Sequence, residues 1–242
     1  MIVLPVMPPE QTASWLGILD LYDRLNGGWT LIGGQLVHLH CAERGEFPVR
    51  PTNDVDTVID VRADPMILHT FTKTLEDLGF KSDGISGEGR QHRWKRGDAS
   101  IDVLLPEGVG ERASERQGVT GSPTLTTEGG AQALRRSETV AVTVDGHEGF
   151  VRRPSLVGAL VVKAAAHTNP GDRDLRRHRH DFVVLAGLIA ARDFAAEDVN
   201  KTDRRRLRRI VAAIEGDREL LLEIPNGAAA IDRLKVAAGL DN

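Results

Sequence analysis

The sequence predicts an α/β fold: a mixed sheet with helices over residues 1–153, followed by a helical domain over residues 154–242. Three features lead there. Short apolar runs with strand character alternate with helical periods through the first part,. From Ser155 onward the apolar spacing is helical to the end of the chain. Two predicted strands also carry carboxylates among apolar neighbours, where a plain core strand would not,.

In chain order, Trp15, Ile18, Leu19, Tyr22 and Leu25 recur at helical spacing over residues 10–25, and Gly27-Gly28 ends that helix,. WTLI (29–32) is a short apolar strand that runs into Gly33-Gly34, and residues 35–44 read as a helix. After a loop comes RPTNDVDTVIDV, with Val55, Thr57, Ile59 and Val61 on one face of a strand,. Asp64-Pro65 predicts a helix start, Leu68, Phe71, Leu75 and Leu78 its buried face, and Gly79 its stop,. HRWKR (92–96) and SIDVLL (100–105) are strand-like, and residues 107–130 read as a long loop. TVAVTV and HEGFVR flank Asp145-Gly146 as a hairpin,.

A hydrophobic fraction of 40% with 27% charged residues excludes wholesale disorder,. MIVLPVMPPE lacks the basic start and long apolar core of a secretory signal, and the longest apolar stretch, LVGALVV, is interrupted by Lys163,. No membrane association is expected. The lone Cys41 excludes an internal disulfide and a cysteine zinc site, and fits a reducing, cytoplasmic setting,. His38, His40, His178 and His180 match no common zinc spacing and read as structural or surface side chains,. Charge is uneven: residues 1–150 hold 14 basic and 22 acidic side chains, residues 151–242 hold 17 and 13. The excess of base in the second part suits a polyanionic partner.

Asp54 and Asp56 are two apart in an extended run, so their side chains share one side of the sheet,. Two carboxylates there repel unless a cation lies between them or the strand end is wet. Asp102 sits in another strand, and if the two strands are neighbours three carboxylates converge. Hard oxygen ligands of this kind bind Mg²⁺ or Mn²⁺ together with phosphate oxygens. Gly33-Gly34 at a strand-to-helix turn lets backbone N–H groups approach a phosphate,. Each piece alone is common: a Gly-Gly is usually a turn and a D-x-D a solvated strand end. The ordered set is more specific.

That set, Ile32-Gly33-Gly34, Asp54-Val55-Asp56 and Ile101-Asp102-Val103, resembles the nucleotidyltransferase superfold shared by DNA polymerase beta and CCA-adding enzymes. RPTNDVD further resembles the Arg-x-Thr-x-Asp-x-Asp segment of AbiEii-type toxins, a group that includes the MenT toxins of mycobacteria. The 20 positions from Gly34 to Asp54 are more than in many superfold members. The resemblance implies a polymerase beta-like mixed sheet in which Asp54, Asp56 and Asp102 hold metal, and Asp102 helps deprotonate the incoming hydroxyl. It implies an NTP as co-substrate, with Gly33, Gly34, Arg50, Thr52 and Lys163 at the nucleotide. It also implies catalytic roles for Lys163 and Asp181, an RNA acceptor such as the tRNA 3′ end, and a cognate antitoxin protein.

Helical spacing independently turns Lys163 toward Leu156, Ala159 and Leu160, and Asp181 toward Leu185 and Leu188,. Charges on apolar stripes need partners, so the two either pair across helices, serve nucleotide phosphates, or do both. The run RDLRRHRH brings Arg173, Arg176, Arg177 and Arg179 next to Asp181, where they are expected to meet an RNA backbone,. DRRRLRR (203–209) reads as the solvated face of a helix. Two rivals remain: the same chemistry on an antibiotic or protein hydroxyl, and a non-catalytic RNA-binding module.

Overall fold

The computed structural model describes residues 1–47, 50–169 and 174–240. The first part runs β1 (Ile2–Val3), α1 (Pro9–Arg24), β2 (Trp29–Ile32), α2 (Gly33–Glu43), β3 (Val55–Ile59), α3 (Ile67–Asp77), β4 (Lys81–Ser82), β5 (Arg93–Arg96) and β6 (Ala99–Pro106). It continues through α4 (Glu111–Ser114), β7 (Thr126–Thr127), α5 (Gly130–Arg135), β8 (Ser137–Val144) and β9 (His147–Pro154). Helices α6 (Leu156–Ala166), α7 (Leu175–Gly187), α8 (Ala191–Ala195), α9 (Lys201–Glu215), α10 (Arg218–Glu223) and α11 (Gly227–Ala238) follow.

The main sheet has the order β2-β3-β6-β5-β4, with β7 added beside the end of β6. β3 and β6 are parallel neighbours, and the other pairs along that path are antiparallel. The register is what matters for chemistry: Asp56 lies opposite Asp102, and Asp102 opposite Arg93. β8 and β9 form the expected hairpin, with Asp145 and Gly146 both at positive φ as a two-residue turn of the primed type demands,. β1 joins its edge in parallel.

The predicted inward face of the carboxylate strand is buried: Val55, Thr57 and Ile59 are inaccessible to solvent. With Trp15, Trp29, Phe71, Phe80 and Trp94 they belong to the core under the main sheet, or line it. A second core joins Leu160, Phe182, Leu185, Leu207, Ile210 and Leu234 of the carboxy-terminal helices. Helix α2 touches both, with Leu39 in the first and Leu36, Val37 and Cys41 in the second. It is therefore the spine between sheet and helices, and its N-terminus lies at the candidate site.

Two expectations need correction. α3 begins at Ile67, not at Asp64-Pro65. Asp64 instead caps the preceding turn, accepting from the Met66 amide at 2.8 Å, because Pro65 and Met66 form a turn before the helix proper. Residues 107–130 are not one loop: α4 and β7 form within them, and α5 begins at Gly130. β7 pairs with Leu105 and Pro106, extending the sheet beside the carboxylates. No helix among the described residues is long and apolar enough to cross a membrane.

Candidate metal and phosphate site

The β3–β6 pairing brings the three carboxylates together: ligand oxygens of Asp54, Asp56 and Asp102 all lie within 4.8 Å of one another. Each is held differently. Asp102 is nearly buried, and both its oxygens accept from Arg93, at 2.8 Å from Nε and 2.7 Å from Nη2. The same Nη2 donates to Asp54 Oδ2 at 2.8 Å, while Asp54 Oδ1 accepts from the Thr52 hydroxyl at 3.1 Å. Burial, and then repulsion from Asp54 and Asp102, pushes the Asp56 carboxyl up to about 7,.

Both glycines are required by what lies against them. Gly33 has φ +72°, and a Cβ there would fall 1.8 Å from Asp56 Oδ2. A Cβ on Gly34 would fall 2.8 Å from the Thr52 Oγ1 and Cγ2 atoms. The first turn of α2 therefore presses directly on Asp56 and Thr52, and both glycines line the cavity around the carboxylates.

The RPTN segment is strapped in place by three side chains from α1 and α2. His38 Nε2 lies 2.9 Å from the Arg50 carbonyl, Gln35 donates to the Thr52 carbonyl at 2.8 Å, and Ser14 to the Asn53 carbonyl at 2.7 Å. Burial lowers the His38 pKa, so the imidazole acts as a neutral strut,. Gln35 is fixed in turn by Trp15 Nε1, at 2.8 Å. This segment delivers Arg50, whose guanidinium reaches Asp181 at 3.1 and 3.3 Å.

Lys163 and Asp181 form the buried pair that their helical stripes suggested, Nζ to Oδ2 at 2.6 Å. Burial alone would raise the Asp181 carboxyl, but Lys163 and then Arg50 hold it below its ordinary value. One carboxylate is thus shared by two cations. All three groups also line a cavity of about 250 Å³ with Gly33, Gly34, Thr52, the three carboxylates, Arg93, Arg177 and His178. A second cavity of about 280 Å³ meets it across Gly33, Asp56, Asp102 and Lys163, and is walled by Leu104, Leu125, Thr126, Glu128 and Val162. A larger cavity, between the amino-terminal segment and α1, shares none of these side chains.

The basic run on α7 divides. Arg176 pairs with Glu223 at 2.7 Å and Arg179 with Asp217 at 2.9 Å, tying α7 to α10 and the turn before it. Arg177, between them in sequence, lines both cavities around the carboxylates. Arg173 lies outside the described residues.

No protein-family model matches this chain. No curated protein matches its sequence either. Among solved structures it is similar to an antigenic nucleotidyltransferase-like protein from Paracoccidioides brasiliensis, with a TM-score of 0.52 at 17% identity over 93% of this chain and 94% of that one. A weaker likeness is to the antibiotic-resistance factor ANT(2'')-Ia, with a TM-score of 0.46 at 16% identity over 88% of this chain and 99% of the other. The fold is nucleotidyltransferase-like.

In this nucleotidyltransferase-like fold the residues fit a divalent cation. The donors are three clustered carboxylates, and Asp56 has no hydrogen-bond or ion-pair partner among the described contacts,. Arg93 was not expected at the site from the sequence, although a signal for it was there. Gly97-Asp98 between two strands is a two-residue hairpin loop, and counting back from it places Arg93 across from Asp102,. His178, which lines both cavities, and the segment around Thr126 were likewise not expected there.

Proposed function

We propose that this chain is a metal-dependent nucleotidyltransferase that moves an NMP from an NTP onto a hydroxyl and releases pyrophosphate. The observation that carries this reading is the meeting of three carboxylates with a glycine-walled, cation-lined cavity at the N-terminus of α2.

A divalent cation held by Asp54, Asp56 and Asp102 would polarise the phosphate under attack and stabilise the charge on attacking and leaving oxygens. The chain's own groups do the rest. Gly33 and Gly34 admit phosphate oxygens to backbone N–H groups without a side chain in the way,. Lys163, Arg50 and Arg177 supply positive charge around the triphosphate,. Asp181 keeps Lys163 and Arg50 aligned while the cavity is open. Asp102 accepts the proton of the acceptor hydroxyl once Arg93 releases one of its oxygens,.

For the acceptor we propose RNA, with the tRNA 3′ end first. The likeness of RPTNDVD to the AbiEii-type and MenT segment supports this, as does the surplus of base in the carboxy-terminal part. The same likeness underlies a toxin role with a protein antitoxin as partner. A second reading, a small cationic acceptor of the aminoglycoside kind, is favoured by Glu128, which joins Asp56 and Asp102 as a third carboxylate lining the second cavity. Label transfer decides between them. Purified protein and its Asp56→Ala variant are incubated with Mg²⁺, each α-labelled NTP, and tRNA, aminoglycosides or protein. Label on tRNA with the wild type alone establishes the first reading, and label on an aminoglycoside alone establishes the second. If no acceptor takes label from any NTP, the transferase reading fails.

A further inference from the structure

Arg93 stands where a cation is wanted, and it is itself a cation. The β5–β6 register fixes its Cα opposite that of Asp102, so the contact is set by the sheet and not by a chance reach from a loop. Its guanidinium takes both oxygens of Asp102 and one of Asp54, and Thr52 takes the other oxygen of Asp54. Only Asp56 has no such donor among the described contacts. A divalent ion ligated by Asp54 and Asp102 would compete for the oxygens that Arg93 now holds, and would face its positive charge at close range.

We propose that Arg93 is an internal counter-ion that a divalent cation displaces from Asp54 and Asp102, so that metal loading is coupled to the arrival of nucleotide phosphates. This rests on the metal-dependent reading given above. The coupling follows from where the guanidinium can go. Its side chain is about one-third exposed and lines the same cavity as Gly33, Gly34, Arg50 and Lys163. Without nucleotide, a displaced Arg93 loses three charge-assisted hydrogen bonds and stays among other cations. With a triphosphate in that cavity it regains a bidentate anionic partner. Metal and nucleotide therefore favour one another, and the coupling is reciprocal.

A purely structural strut gives the opposite sign. If Arg93 only kept the two acids in position, removing it would loosen the ligand set and weaken metal binding. If it is a counter-ion, removing its charge while keeping an amide donor strengthens binding. The test is a Mn²⁺ titration of the full chain by calorimetry and electron paramagnetic resonance, with and without an NTP bearing a methylene between its α- and β-phosphates. Arg93→Gln is expected to bind Mn²⁺ about tenfold more tightly than wild type without nucleotide, and Arg93→Lys to stay near wild type. The tightening produced by the nucleotide analogue is expected to shrink in Arg93→Gln by a similar factor of about ten. A wild-type or weaker Mn²⁺ affinity in Arg93→Gln, with Asp56→Asn clearly weaker than wild type, overturns the counter-ion and leaves the metal site standing. Equal Mn²⁺ binding by Asp56→Asn and wild type overturns both.

Discussion

The Asp56 carboxylate occupies the space that a side chain on residue 33 would need, since a Cβ on Gly33 would lie 1.8 Å from its Oδ2. The strand-to-helix turn and the candidate metal ligand are therefore one packed unit. Gly33→Ala must move Asp56 or unwind the first turn of α2, and it also meets the strain of φ +72°,. We expect a loss of more than about 2 kcal/mol in urea unfolding, from the left-handed backbone and the clash together. Label transfer should fall by about a hundredfold or more, because the displaced group is at the chemistry. Near-wild-type transfer by Gly33→Ala would show that Asp56 can move without consequence.

Lys163 is the second test. Removing it leaves Asp181 buried but still bonded to Arg50, so the cost should be less than for a fully orphaned charge. Lys163→Met is expected to lose about 2–3 kcal/mol, below the roughly 3–5 kcal/mol of an uncompensated pair. Combining it with Asp181→Asn should restore part of that loss in a double-mutant cycle. Nucleotide binding should weaken in both variants that lack Lys163. Strictly additive stability effects would mean that the 2.6 Å contact is energetically silent.

Asp56 predicts a pH dependence with a definite sign. Its carboxyl is raised to about 7 in the folded chain, so between the ordinary acid range and about 7 the folded state holds a proton that the unfolded state has released. In a chelator-containing buffer this group's contribution to stability is full at low pH and is lost as the pH rises toward about 7. Asp181, held below its ordinary value, has the opposite sign, and its contribution is lost as the pH falls below the usual carboxylate range,. Asp56→Asn mimics the protonated side chain, so the difference in unfolding free energy between it and wild type should widen with rising pH and level off above about 7. A difference independent of pH would refute the raised carboxyl. Mn²⁺ affinity of the wild type should rise over the same interval, because the ion binds the ionised form.

The divided arginine run gives a comparison within one helix. Arg177→Ala, which removes a cation lining the carboxylate cavities, should weaken nucleotide or RNA binding by about tenfold or more, as expected for a lost charge-assisted hydrogen bond,. Arg176→Ala breaks a largely exposed, solvent-screened pair with Glu223 and should leave both thermal unfolding and binding close to wild type,. Filter binding and thermal unfolding of the two variants side by side settle the point. Equal losses of binding would put Arg176 in contact with the ligand.

The carboxylate trio was legible because strand periodicity fixes the facing of Asp54 and Asp56, and a lone Asp in SIDVLL has few reasons to be there,. Lys163 and Asp181 were legible for the helical version of the same reason. Arg93 was not, because HRWKR was read as a strand in isolation, and only its hairpin register joins it to Asp102. The α7 arginines were read as a block, yet each residue of a helix turns about 100° from the last. Arg176 and Arg179, three apart, face α10 and the turn before it, while Arg177 faces the cavities. β7 escaped notice because a two-residue strand has no periodicity to read,.

The position of Arg93 in the chain has a bearing on the order of assembly. The donors that bond Asp54 and Asp102 side chains come from Thr52 and Arg93. Every one of these groups has left the ribosome once residue 102 has emerged. Lys163 and Asp181, by contrast, are made 61 and 79 residues after Asp102. The sheet thus carries its own neutralising charge during synthesis and can close around its acids before the helices that complete the cavity exist. Arg50, made early but bonded to Asp181, is the thread that remains loose until the last of them arrives.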